Sequence, residues 1–157
     1  MTKENVFSNT IDTLYETSRL LNEYESKPRK YGTEDDLYMV EAHIINLIGD
    51  KKHINISDIA KYMNRTKSAA SQNISRLVKK GLVEKRKSTN SSREVVIMLS
   101  SKGYTVYQYH KNLDKTEYEA YLAKLEHFST DDFEKIEQFL SIVNDNLMYL
   151  LKNNNDK

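Results

Sequence analysis

Cysteine is absent from the 157-residue chain. That excludes a disulfide framework, a cysteine-based zinc site and a sensor that works by thiol oxidation. Long apolar runs are missing too. The opening MTKENVFSNTIDTLYE mixes charged and apolar residues, so neither a secretory signal nor a membrane span is expected, and the cytoplasm is the expected location. One proline and four glycines leave few places to break a helix, which points to a mainly helical chain. The length suits a single domain over 1–157 with a substantial core. There is no glycine-rich phosphate loop, no nucleophile–base pair at a recognisable spacing and no dense acid cluster, so an enzyme is not expected. Asp35-Asp36 and Asp131-Asp132 read as helix-start charges.

The net charge of +1 conceals an uneven distribution. Residues 61–93 hold ten Lys/Arg against one acid, Glu84, while each flank holds seven basic residues against eleven acids. A basic island between acidic flanks suits a phosphate-binding surface on a neutral scaffold. The competing reading of such a run is an ordinary solvated face.

The apolar pattern gives that island a shape. Residues 5–25 have helical spacing at Phe7, Ile11, Leu14, Leu21 and Tyr24. A loop over 26–32 precedes a helix that Thr33 or Asp36 could cap, with Leu37, Val40, Ile44 and Ile48 on one face. His53-Ile54-Asn55-Ile56 is long enough only for a short strand, and Ser57 is placed to cap a helix through Met63. Asn64 suits a sharp left-handed turn, and Thr66 can cap a second helix that runs to about Lys80 and stops at Gly81. Two helices joined so tightly make a helix-turn-helix. Beyond Gly81 the period becomes two, in 83–87 and again in 93–99, around the turn residues Ser88 to Ser92. The fold class expected is mainly α with a small β-hairpin wing, an α+β arrangement, with the winged helix-turn-helix lobe at 33–100.

Long helices follow at 101–151, the first rich in tyrosine, which at helical spacing is more often core than ligand box. In the last, Phe133, Ile136, Leu140, Val143, Leu147 and Leu150 recur at spacings of three and four. Such a seam packs helix on helix, including across two subunits. The helices at 5–25 and 101–151 are therefore the expected homodimer elements, with Phe7, Leu14, Ile136, Leu140, Val143, Leu147 and Leu150 at the interface.

Recognition chemistry follows from side-chain type. A helix fits the major groove, where Gln72 can pair with adenine, Arg76 with guanine, and Ser68 or Ser71 can touch a base edge or thymine methyl. Lys61, Arg65, Lys79 and Lys80 suit phosphates. The wing adds Lys85, Arg86, Lys87 and Arg93, and an arginine at a hairpin tip can enter a narrow minor groove. With Thr66 and Lys67 at the helix start, these make the expected DNA-facing set. The alternative function is a winged-helix adaptor for protein partners, which calls for a recognition face without basic residues.

At Ile56–Ala60, Arg65–Leu77, Lys80–Glu84, Arg93–Val95 and Leu99–Gly103 the sequence resembles the MarR family of bacterial regulators. The resemblance implies a triangular dimer, two DNA-binding lobes on a palindromic operator, and repression relieved by a ligand. One departure is that the family wing carries Asp two positions before its arginine, where Ser91 stands before Arg93 here. The histidines His43 and His110, with Tyr107, mark an expected effector pocket. Their placement is similar to a subgroup whose fatty-acid-synthesis repressors respond to acyl-carrier protein, so a small-molecule or acyl-chain effector is one reading. The other is that His43 is a packing histidine and His110 a surface or hinge residue. Zinc-responsive members also place histidines on these helices, but Glu41, His43 and His110 are a thin donor set, and neither metal nor cofactor is expected.

Overall fold

A computed structural model describes residues 1–87 and 95–153. Its chain divides into two compact units, 1–114 and 115–157.

The first unit opens with α1 (Lys3–Glu25). Thr2 caps it by accepting the Asn5 N–H at 3.3 Å, and Glu4 sits in the first turn, where the helix dipole favours a carboxylate. None of the described residues of α1 is buried. Beyond it, β1 (Arg29–Lys30) and β2 (Asp36–Leu37) pair antiparallel, with Arg29 opposite Leu37. This small hairpin replaces the expected loop and delivers Tyr31 and Leu37 to the core.

Helix α2 (Met39–Lys51) starts at neither expected cap. Asp36 is held in strand pairing and the Thr33 hydroxyl turns to Asp35 at 3.2 Å. The N-cap is Tyr38, whose backbone N–H donates to the Glu41 carboxylate at 3.1 Å. Ile44, Ile45 and Ile48 carry α2 into the core, while Val40, assigned above to its apolar face, is exposed.

Helix α3 (Ile56–Tyr62) is capped by Asn55, not Ser57. The Asn55 Oδ1 accepts the Asp58 N–H at 3.0 Å, so the helix begins two residues before the expected position. Asn64 adopts φ 49, the left-handed conformation that lets the chain reverse in so few residues. Thr66 then caps α4 (Lys67–Lys79), its Oγ1 accepting the Ala69 N–H at 3.2 Å. Ala70, Ile74 and Leu77 pack inward, and Gly81 at φ 71 ends the run.

From there β3 (Val83–Lys87) pairs antiparallel with β4 (Val95–Leu99) in the register Val83–Leu99 to Lys87–Val95. An isolated bridge from Ile54 to Ile97 ties the entry of α3 to this hairpin. Ile59, Ile74, Leu77, Leu82, Ile97 and Val106 close one core beneath both the helix pair and the hairpin. Helix α5 (Ser101–Lys124) starts against the base of the hairpin, where Gly103 is buried under the Leu82 carbonyl.

In the second unit, α6 (Thr130–Asn153) begins with a reciprocal cap. Ser129 N–H donates to Asp132 Oδ2 at 2.9 Å, and Asp132 N–H donates to Ser129 Oγ at 3.2 Å. None of the described residues of α6 is buried, and Phe133, Ile136, Leu140, Leu147 and Leu150 are exposed. No described helix is long and apolar enough to cross a membrane.

Candidate nucleic-acid interface

Helical geometry sorts the side chains of α4. Ala70, Asn73, Ile74 and Leu77 are buried, so positions 68, 71, 72, 75 and 79 share the opposite face. On that side Lys67, Ser68, Gln72 and Lys79 are exposed and Ser71 is half-buried. Ser75 spends its hydroxyl on the Ser71 carbonyl at 2.8 Å. Arg76 lies on the flank, with 59 % of its side chain exposed.

The remaining basic residues surround this face in the chain. Lys61 on α3 and Arg65 in the turn are exposed, as are Lys85, Arg86 and Lys87 on β3. Arg86 is paired with Glu84 at 2.8 Å. Arg93 lies outside the described residues. Lys80, expected beside phosphates, is turned instead to Glu41.

Two of the three expected effector residues come together. The rings of His43 and His110 are 5.5 Å apart, and His110 stacks nearly parallel on Tyr31 at 5.3 Å. His110 is 2 % exposed. Its Nδ1 lies 2.9 Å from Asp114 Oδ2 and 3.1 Å from Asn46 Nδ2. The other ring nitrogen of His110 is Nε2. That Nε2, Asn46 Oδ1 and Arg29 Nη1 are buried polar atoms without a hydrogen-bond partner among the described residues. The surrounding packing, and then His110, hold the His43 imidazole below its usual pKa although its surface is partly open to solvent.

Tyr107 lies elsewhere. Its hydroxyl donates to Asp50 Oδ1 at 2.7 Å, and its ring covers Gly49. That bond holds the Asp50 carboxyl below the usual range and pushes the Tyr107 hydroxyl up. Glu41, the third member of the thin metal set, is occupied by Lys80 rather than by the histidines. Among the described residues, no group of three or more His, Asp or Glu is placed to hold a metal ion. Two imidazoles and an already bonded Asp114 do not fit a closed metal site.

The residues missed at the sequence level are Tyr31, Asn46 and Asp114 around His110, and Asp35 and Lys102, which pair at 2.7 Å beside the end of α4. Asp114 was legible in principle, since i and i+4 share a helix face.

Residues 37–95 match the model of the MarR family. In Bacillus subtilis, the helix-turn-helix regulator PchR is 25 % identical over 145 residues, covering 89 % of this chain and 86 % of its own. The regulator YhjH of the same organism is 22 % identical, covering 83 % and 79 %. Among solved structures, Lactococcus lactis ZitR in complex with DNA superposes with a TM-score of 0.71 at 21 % identity, covering 89 % of this chain and 97 % of that one. The adhesin competence repressor AdcR of Streptococcus pyogenes gives 0.68 at 21 % identity, covering 90 % and 97 %. ZitR is described as zinc-responsive. With the helix-turn-helix and the first strand of the hairpin inside the matched stretch, and the same fold over nearly the whole length, this chain is similar to the MarR family of winged helix-turn-helix transcriptional regulators.

Proposed function

We propose that the chain acts as a cytoplasmic homodimer that binds a palindromic operator in duplex DNA and represses transcription until an effector binds. The observation that carries this is α4. Its exposed face offers Lys67, Ser68, Gln72 and Lys79, while its other face is locked into the core by Ala70, Ile74 and Leu77. A rigidly held helix with short polar and basic side chains outward fits the major groove. Lys61, Arg65, Lys79 and the β3 cations then serve phosphates, which fix register without reading sequence.

The lobe at 33–100 is the DNA-binding part, and 5–25 with 101–151 form the dimer. Support for the second point is that α1 and α6 present Phe7, Ile136, Leu140, Leu147 and Leu150 to solvent in the isolated chain, an apolar display that association covers. Leu14 on α1 and Val143 on α6, also expected at the interface, are each half-buried in the isolated chain. For the effector, the support is the His43–His110 pair with its unsatisfied buried polar atoms. A small polar molecule or the head of an acyl chain would meet them. The zinc response of ZitR is not carried over, because the donor set does not fit.

Fluorescence anisotropy of the purified protein on its own upstream DNA and on a scrambled duplex, at two salt concentrations, tests the reading. Salt-sensitive preference for the upstream duplex with two subunits per site supports it. Absence of binding to either duplex favours an adaptor instead.

A further inference from the structure

The contact between α2 and α4 has a carboxylate at its centre. Glu41 is 1 % exposed. Its Oε1 and Oε2 accept from Lys80 Nζ at 3.0 and 2.8 Å, and Oε2 also accepts the Tyr38 N–H at 3.1 Å. Lys80 Nζ donates once more, to the Asp36 carbonyl at 2.9 Å. Arg76 Nε lies 3.9 Å from Oε1, and its Nη2 donates to Oδ1 of the buried Asn73. A carboxylate taken out of water stays ionised only if cations or N–H groups meet it. Here the cations come from the helix that carries the exposed Gln72 and from Lys80, which caps its C-terminal end.

We propose that Glu41 is a positioning residue for DNA specificity, tying down Lys80 so that it does not act as a free cation on DNA. This rests on the DNA-binding reading above. A lysine on a flexible stem meets the phosphates of any sequence equally well, so each such contact raises affinity without discrimination. Glu41 competes with phosphate for Lys80 from a site screened less than the surface. Arg76, bonded to Asn73 and leaning on Glu41, is held to one orientation on the flank of the reading face. Discrimination is a difference of affinities, and removing a promiscuous contact widens it.

Glu41→Gln keeps the shape and an oxygen for the Tyr38 N–H but removes the charge. Two measurements on the full chain read the consequence. The first is acetylation of Lys80 in the free protein, followed by mass spectrometry with exposed Lys79 as reference. The second is anisotropy across a salt series on the upstream and scrambled duplexes. Glu41→Gln should speed Lys80 acetylation several-fold, steepen the salt slope on scrambled DNA by about one, and reduce the preference for the upstream duplex. The double variant Glu41→Gln/Lys80→Gln should return the slope to its wild-type value, which general loosening of α2 would not do. Lys80→Gln alone should leave the slope unchanged, and a slope shallower by about one puts Lys80 on a phosphate and overturns the proposal. Unchanged Lys80 acetylation in Glu41→Gln removes the clamp altogether. Faster acetylation with unaltered slope and preference removes its role in specificity. A wild-type protein that prefers neither duplex sinks the DNA-binding reading and the specificity role with it, while acetylation still decides whether the clamp exists.

Discussion

Gly103 offers the most decisive test of how the lobe is assembled. A Cβ built on it would lie 1.9 Å from the Leu82 carbonyl oxygen and 3.0 Å from the Leu82 carbonyl carbon, both backbone atoms that no rotamer change can move. Ser100 fixes the same junction. Its N–H donates to Leu82 O at 3.1 Å, its hydroxyl donates to Gly81 O at 2.6 Å, and it accepts the Gly103 N–H at 3.0 Å. Relief in Gly103→Ala therefore requires α5 to retreat by roughly 1.5 Å, straining those three bonds. Overpacking of this kind costs about 1–3 kcal/mol, and more when backbone must shift. Alanine's helix preference over glycine returns about 1 kcal/mol. A net loss of about 2 kcal/mol lowers Tm by about 4–8 °C in a chain of this size. The comparison is Gly81→Ala, which meets no atom within 4 Å but sits at φ 71, so its cost is only the left-handed strain of about 1 kcal/mol. Thermal melts of both variants at one protein concentration decide the matter. A Gly103→Ala Tm equal to or above wild type, or a larger loss for Gly81→Ala, refutes the reasoning.

Further expectations follow from other positions. Asn64→Gly should melt within about 1 °C of wild type, whereas Asn64→Val, forced to φ 49, should lose about 1–3 kcal/mol; equal melts for the two deny the left-handed turn. The His43 pKa is lowered on folding, so the unfolded chain binds the extra proton more readily. Its share of stability is complete above the ordinary imidazole pKa of about 6.5 and erodes as pH falls through it. His43→Gln should therefore lose less Tm than wild type between about pH 7.5 and 5.5, and parallel losses would contradict this. The carboxyls of Asp35, Asp50 and Asp132, also lowered, act in the same direction at more acid pH. Leu140→Asp with Leu147→Asp should halve the mass seen by light scattering, and a dimer that persists puts the subunit contact elsewhere.

The parts of this fold that the sequence announced are those decided within a few residues. Thr66 as a cap, Asn64 as a left-handed turn and Gly81 as a stop are local events, and each stands where expected. Local competition explains the errors. Asn55 and Ser57 are both competent N-caps two positions apart, and only the bridge that extends Ile54 against Ile97 favours the earlier one. Strands of two residues such as β1 and β2 have no period to detect. Residue type alone assigns Lys80 to phosphates and Glu41 to a thin donor set, because the partner that each of them meets lies 39 positions away. The histidines were legible as residue types on two helices, but their approach depends on how α2 and α5 pack. Tyr107 sits one turn from His110 and yet turns to Asp50 because Gly49 leaves room for its ring.

Lys80 is more than an ion-pair partner. Its ammonium reaches Glu41 and the Asp36 carbonyl, 39 and 44 residues back along the chain, while its own carbonyl receives Lys102 Nζ from 22 residues ahead. Contacts of such separation pay their loop-closure entropy before they return anything, so they form together or not at all. The segment from Asn55 to Lys80, although it looks like a self-contained reading head, is thus not a portable cassette. Grafted onto another scaffold without residues 36–41 and 100–103, it would keep its letters and lose its orientation.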